Sequence, residues 1–473
     1  MKKLIFLMVY ISFVPSGFAV FQSVWKGYQV SAIGQSLDLN EKINEFDFIF
    51  NDQLNDWKFI FSPGVNESNL AALFDFQSEK TKTKDLNFEL SKTTYKYGTF
   101  SLNYRKREYD LSEWSDTRLS LLSDSTLFEN RTSLNYTYDF LDRSKAREYD
   151  FIVAQNKTKT KENLLEVDKG RLSFFTTYIQ AKFQLYSVRL SGDFVKEAKR
   201  RVDKTKRRVK DGVSRKIDLF QAESSLINRK ESLESNRSNL KENLATLENI
   251  LKRKIDQKQL DSITWKKRNF SYWKKSIVES EHYSVELTRE KMKASVASLA
   301  KIKDENGTKL TFNASLESNA IDKDQSSSFD EHIETRTKNM GVSLSLVIPL
   351  GIDKRSALSS RALYKMKKEK LDFINVQDEV VVRKASLLKQ IAYYEKIISL
   401  STSKVELASQ ILKEQNKMYL RGQTNFEEII RAEEAYVNTQ LSEKKILLEF
   451  ELLVANYAFL NNSIKTFLNS YRD

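Results

Sequence analysis

Two histidines, His282 and His332, and no cysteine leave little raw material for acid–base, nucleophilic or soft-metal chemistry. Without a thiol there is no cysteine nucleophile, no disulfide and no cysteine-held metal. No phosphate-binding glycine loop, zinc-protease motif or nucleophile elbow occurs. The chain is therefore not expected to be an enzyme: no catalytic, cofactor-binding or metal-ligating residue is assigned, and both histidines are expected to be exposed polar groups. Lys199-Arg200-Arg201 and Lys204 to Lys210 carry charge of the kind that binds nucleic acid. Acids such as Asp203 are interspersed, so a solvated helix face is expected and no nucleic-acid partner. Trp265, Tyr272 and Trp273 are expected to pack a connector rather than hold a ligand. The sharpest local signals are two glycines. Gly212 and Gly422 each follow a long helical pattern and stand two residues before a hydroxyl, Ser214 or Thr424. Glycine ends helices by accepting a left-handed backbone, and serine or threonine opens the next one. Thr424-Asn425-Phe426-Glu427 has the spacing of a capping box.

The elements that carry these turns follow from punctuation. The 473 residues hold only 3 prolines and 12 glycines. Pro15, Pro63 and Pro349 leave long stretches free of helix breakers, so very long helices are required. Lys2 and Lys3, an apolar run from Leu4 to Val14 and small residues at Gly17 and Ala19 are expected to form a secretory leader ending at Ala19. As a helix that run measures only about 16 Å, too short for a bilayer. No later stretch reaches the length of a membrane helix, which still permits a closed β-barrel.

A short amphipathic helix is expected at Leu37 to Ile43. Period-two alternation then places strands at Leu86-Phe88-Leu90, Phe100-Leu102-Tyr104 and Leu134-Tyr136-Tyr138-Phe140. Gly98 is expected in the turn between the first two, and residues 110 to 129 as a loop. Helical spacing runs from Ser144 to Asp211, with Val188, Phe194, Val195, Ala198 and Val202 on one stripe, and again from Val213 to Arg253 and Ser280 to Lys303. Strands return at Leu310-Phe312-Ala314-Leu316 and Val342-Leu344-Leu346-Ile348, separated by a polar loop. Pro349-Leu350-Gly351 closes the last strand. Further helices are expected from Lys354 to Leu420 and Asn425 to Leu468.

Strand pair, long helix, glycine turn and long helix thus occur twice. A shift of 210 residues lays Gly212 on Gly422, Ser214 on Thr424, Asp218 on Glu428 and Ala222-Glu223 on Ala432-Glu433. Shared element order, more than identity, marks the duplication. The expected organisation is a signal peptide at 1–19, an N-terminal segment at 20–84, a first structural repeat at 85–277 and a second at 278–473.

The segments Gly212 to Glu223 and Gly422 to Glu433 both read glycine, five residues, acid, two aliphatic or aromatic residues, any residue, alanine. In this, and in the strand exit at Pro349, the chain resembles the TolC-like outer-membrane efflux protein family, over about residues 85 to 470. The resemblance implies an α+β membrane protein. Its long antiparallel α-helical hairpins form a trimeric α-barrel joined to a shared transmembrane β-barrel. It implies a passive duct of a tripartite efflux or type I secretion system, lodged in bacterial outer-membrane lipids and extending into the periplasm. The implied partners are two further copies of the chain, a periplasmic adaptor (membrane fusion) protein and an inner-membrane transporter. The competing function is a periplasmic or surface coiled-coil protein, against which the strand pairs count.

By the same resemblance, Gly212, Val213, Ser214, Gly422, Gln423 and Thr424 form the periplasmic tip where the adaptor docks. Asp218, Tyr419 and Glu428 are its candidate gate. A Tyr419–Asp218 contact between helix pairs would hold the tip closed, and Glu428 would form a cation-selecting ring. Thr424 stands where the family's gate arginine is found and Arg431 where its second acid is found. A hairpin around 85–109 is extra to the family's plan.

Overall fold

The computed structural model describes residues 20–31, 35, 39, 57–69, 80–94, 97–113, 126–255, 267–334, 338–349 and 353–471. The leader at 1–19, Trp114, Trp265 and Leu350-Gly351 lie outside the described residues, as does all of the helix expected at 37–43 except Leu39. The chain divides into two compact units. One holds Met1–Ile43, Lys159–Leu287 and Ile374–Asp473; the other holds Asn44–Thr158 and Thr288–Phe373.

The second unit is built on six antiparallel strands in chain order: β1 Trp57–Asn69, β2 Lys80–Thr94, β3 Gly98–Glu113, β4 Thr126–Asp139, β5 Lys309–Asp322 and β6 Lys338–Val347. Alternation and register agree across all six. Phe61 pairs with Phe88, Phe88 with Tyr104, Leu102 with Leu134, Leu134 with Leu316 and Leu316 with Met340. A side-chain period of two then puts every one of these residues on a single face. Gly98 opens β3 at φ +84°, where an added Cβ would meet the Thr137 carbonyl oxygen at 2.3 Å.

Sequence patterning missed β1. Pro63-Gly64 sits in its middle and reads as a break, yet a proline is tolerated on an edge strand, and β1 is an edge. The loop expected at 110–129 is shorter than its pattern suggested, because β3 extends to Glu113 and β4 starts at Thr126. The polar loop after β5 also contains a helix, Gln325–Glu334.

The helices are α1 Val20–Val30, α2 Ser144–Lys210, α3 Lys216–Leu251, α4 Phe270–Lys274, α5 Tyr283–Glu305, α6 Gln325–Glu334, α7 Asp353–Leu420, α8 Phe426–Leu460 and α9 Ile464–Ser470. At 67 and 68 residues, α2 and α7 are each about 100 Å long. Both unit boundaries that follow a strand segment fall inside these two helices. The helix expected to run to Leu468 stops at Leu460. Asn462 adopts φ +52°, and α9 follows as a separate turn of chain.

In the first unit the core gathers α1, the middle of α2 and the C-terminal helices. Phe21, Phe174, Phe175, Phe467 and Tyr471 interlock, with Trp273 stacked on Tyr471 at 5.4 Å and 11°. Tyr272 lies edge-on to Trp273. The Tyr471 hydroxyl donates to Glu451 at 2.6 Å and accepts from Lys182 at 3.1 Å, so the buried charges are hydrogen-bonded. Gln22 donates to the carbonyls of Leu468 and Tyr471, and Trp25 donates to Asn469, locking α1 to α9.

Both histidines are buried, against the expectation that they face solvent. His282 is 4% exposed, edge-on to Phe459, and His332 on α6 is 8% exposed against Thr132 and Ser318 of the sheet. A neutral imidazole is half apolar and needs only a partner or two to be buried.

Candidate functional site

The chain ends α2 and α7 in the same way. The Gly212 N–H bonds the Val209 carbonyl at 3.2 Å and the Val213 N–H bonds the Arg208 carbonyl at 2.8 Å. The Gly422 N–H bonds Tyr419 at 3.0 Å and the Gln423 N–H bonds Met418 at 2.9 Å. These are the nested bonds of a Schellman motif, which requires a left-handed residue at the glycine. The two φ values are +71° and +75°.

The next helices are capped one residue later than expected. Arg215 and Asn425 are the N-caps, not Ser214 and Thr424. The Asn425 side chain accepts the Glu428 N–H at 3.0 Å. At the first turn the acid works in the reverse sense: the Asp218 carboxylate accepts the Arg215 backbone N–H at 3.2 Å and lies 3.4 Å from the Arg215 guanidinium. Ser214 is drawn back to α2, accepting from Arg208 Nε at 3.1 Å.

Asp218 and Glu428 thus occupy the same third helical position, where a helix N-terminus favours a negative charge. Their exposures differ. Asp218 is 6% exposed, while the Glu428 carboxylate remains half in solvent, 3.5 Å from Arg431. Val213 is 65% exposed, and among the described residues nothing lies within 4 Å of a Cβ added at either glycine. The turns therefore present open backbone.

The two turns are brought together by aromatic and cationic groups. The Arg208 guanidinium lies 4.9 Å over the Tyr419 ring, and Tyr419 meets Phe426 edge-on at 5.7 Å. The Tyr419 hydroxyl is buried and has no hydrogen-bond partner among the described residues. Asp218 bonds Arg215 and Tyr419 packs on Arg208, so within one chain each has its own basic partner.

Sequence reading missed a buried ion pair between α2 and α8. Arg201 donates to Glu433, whose side chain is 1% exposed. Its signal was present: Phe194, Ala198, Arg201 and Thr205 follow helical spacing, and Ala198 and Thr205 are each 2% exposed. The buried stripe continues through a residue that composition assigns to a solvated basic run.

The sheet has two chemically distinct faces. One face carries Trp57, Phe59 and Phe61, then Phe88 and Leu90, Phe100 and Leu102, Leu134 and Tyr136, Phe312 and Leu316, and Val342, Leu344 and Leu346. The opposite face carries Ser62, Asn87, Ser101, Asn103, Ser133, Asn135, Asn313, Ser315 and Ser343. Beyond the serine and asparagine belt the same face holds Arg107 bonded to Asp85, Tyr109 bonded to Glu129, and Arg131 bonded to Glu317. An apolar face backed by a hydrated one is the pattern of a barrel wall between lipid and water. Among the described residues no helix is long and apolar enough to cross a membrane, and no group of acids and histidines is arranged to hold a metal ion.

No protein-family model matches the chain, and no curated protein matches it. Solved structures do. The outer membrane protein VceC of Vibrio cholerae is similar over 94% of this chain and 96% of its own, at 12% identity and a TM-score of 0.66. The CmeC outer membrane channel of Campylobacter jejuni matches 98% of this chain and 91% of its own, at 11% identity and a TM-score of 0.66. The MtrE outer membrane channel of Neisseria gonorrhoeae, crystallised in its open state, matches 94% and 90%, at 11% identity and a TM-score of 0.60. The fold of this chain is that of the TolC-like outer membrane factor channels.

Proposed function

We propose that this chain, folded as an outer membrane factor, is one subunit of a passive export duct in a bacterial outer membrane. Three copies close their sheets into one β-barrel, and their long helices continue it as an α-barrel in the periplasm. A periplasmic adaptor and an inner-membrane transporter of an efflux or type I secretion system supply the cargo and the energy. The observation that carries this is the in-register alternation of all six strands. An open sheet with an apolar face exposes backbone edges that lipid does not tolerate, and closure with further copies satisfies them.

We take 85–277 and 278–473 as two structural repeats, each with one glycine turn between its two long helices. We assign Gly212, Val213, Ser214, Gly422, Gln423 and Thr424 to adaptor docking, because their backbone is open. Asp218, Tyr419 and Glu428 are the gate. The orphaned Tyr419 hydroxyl supports a partner supplied by another copy.

Reconstitution in planar bilayers tests the function. A heat-labile trimer with single-channel conductance is expected; a soluble monomer or dimer without conductance rejects it.

A further inference from the structure

The sheet has two open edges, and they match each other. Among the described residues it runs from β1 to β6 without closing. On the apolar face β1 presents Trp57, Phe59, Phe61, Pro63 and Val65, then Glu67. On the same face β6, read from its other end, presents Leu346, Leu344, Val342 and Met340, then Lys338, with Ile348 just beyond the strand. The apolar edge residues are among the most exposed in the chain, Val65 at 71% and Met340 at 80%.

Because the strand number is even, β1 and β6 run in opposite directions. A second copy laid beside the first therefore continues an antiparallel ladder. If Glu67 is set opposite Lys338, the rest of the register is fixed. Val65 falls on Met340, Pro63 on Val342, Phe61 on Leu344 and Phe59 on Leu346. On the hydrated face Asn66 falls on Asn339, Gly64 on Gly341 and Ser62 on Ser343. On the apolar face apolar meets apolar and acid meets base; on the other face the three pairs nearest Glu67 match in kind, while Ile60 falls on Ser345 and Lys58 on Val347. Opposite charges and matched side chains directly across a ladder are what stabilise one register over its neighbours. Pro63 removes one donor, and the rest of β1 keeps its own.

We propose that β1 of one copy pairs with β6 of the next in this register, so that all six strands enter the barrel. This rests on the trimeric channel proposed above. Three six-stranded sheets then make an eighteen-stranded barrel, a size at which the lumen is a water-filled channel rather than one filled by side chains. The hairpin of β1 and β2 is part of the conducting wall, not an appendage, and the serine and asparagine belt lines a continuous ring.

The chain has no cysteine, so introduced pairs report without background. In the full chain in outer membranes, Ser62→Cys with Ser343→Cys is expected to give disulfide-linked dimers and trimers that collapse on reduction. Ile60→Cys or Gly64→Cys with Ser343→Cys, two residues out of register, is expected to link weakly. As a second measurement, Glu67→Lys is expected to lower the heat stability of the trimer and Glu67→Lys with Lys338→Glu to restore it. A heat-labile conducting trimer that links at none of these three β1 positions overturns the seam. Linkage of Ser101→Cys to Ser343→Cys instead places β1 and β2 outside the barrel and overturns it as well. Absence of any trimer or conductance in the unaltered chain overturns the channel itself, and the seam with it.

Discussion

Gly212 and Gly422, 210 residues apart, hold the same left-handed backbone at φ +71° and +75° and close the same pair of helix-ending hydrogen bonds. Among the described residues neither has an atom within 4 Å of a prospective Cβ, so backbone strain is what opposes a side chain there. Gly212→Ala and Gly422→Ala are expected to cost about 1 kcal/mol each, and the asparagine substitutions less. Gly98 shares the positive φ but faces the Thr137 carbonyl oxygen. Backbone cannot yield as a side-chain tip does, so Gly98→Ala is expected to prevent the β3–β4 register. Heat-modified mobility on gels and thermal midpoints separate the two outcomes; a Gly212→Ala loss as large as that of Gly98→Ala contradicts the assignment.

Breaking the pair of Arg201 and Glu433 is expected to hurt more than deleting it. Arg201→Leu leaves a carboxylate that is 1% exposed without its counterion, a loss of about 3–5 kcal/mol. Glu433 Oε1 already lacks a partner among the described residues, so the intact pair is only partly satisfied. Arg201→Leu with Glu433→Leu is therefore expected to recover most of the loss. A double variant as unstable as the single one would falsify this account, read from thermal unfolding in detergent.

Acid should weaken the fold through His282. Burial, and then the nearby charges of Lys384, Arg383 and Lys169, push its pKa down from the ordinary 6.5 to about 4. Nδ1 lies 2.6 Å from the Ser284 hydroxyl, and Nε2 is buried without a partner among the described residues. Between pH 6.5 and 4 the unfolded chain binds a proton that the folded chain does not, so stability falls as pH falls and levels off below 4. The full span is about 3 kcal/mol. His282→Leu is expected to flatten this part of the stability–pH curve; an unchanged slope assigns the acid loss elsewhere.

Long-range order was legible where a single rule governed the sequence. The 3.6 spacing from Ser144 to Asp211 matches α2, which ends at Lys210, and the run from Lys354 to Leu420 matches α7 to within a residue. Alternation located β2 to β6 because each has one dry face. It failed at β1, where Pro63-Gly64 and the apolar Ile60 on the hydrated face blur the period, and only the partner strand β2 resolves it. It failed at α6, whose Gln325-Ser326-Ser327-Ser328 start is poor in helix formers; Ser328, wholly buried, bonds Asn130 and the carbonyls of Phe128 and Ala320 instead. At the turns, glycine position was readable, but cap identity was not. Ser214 has a better capping side chain than Arg215, yet Arg208 captures its hydroxyl.

Asp218 and Tyr419 separate a structural role from gating. Asp218→Ala removes the acceptor of the Arg215 N–H and is expected to cost about 1 kcal/mol whether or not a gate exists. Tyr419→Phe deletes a buried hydroxyl that has no partner among the described residues of its own chain, so stability is expected to hold or rise slightly. If that hydroxyl reaches Asp218 of a neighbouring helix pair in the closed tip, Tyr419→Phe raises the open probability in bilayers. Cysteines at 218 and 419 would then link in the intact assembly. Unaltered gating together with no linkage leaves both residues as local packing.

Glu428 offers the cleanest test of ion selection, because its backbone and side chain do different work. Its N–H is the donor to the Asn425 cap, while its carboxylate is 44% exposed and held only at 3.5 Å by Arg431, which is itself bound more closely to Glu427 at 2.6 Å. Glu428→Gln keeps the cap and the side-chain shape, so the expected stability change is under about 0.5 kcal/mol. What changes is one negative charge per copy at a helix N-terminus, where three carboxylates drawn together by a trimer would concentrate cations. The measurement is the reversal potential in a potassium chloride gradient. A shift toward zero in Glu428→Gln supports the ring; the same cation preference before and after substitution removes Glu428 from the selective element and leaves it as a charge complementing the helix start.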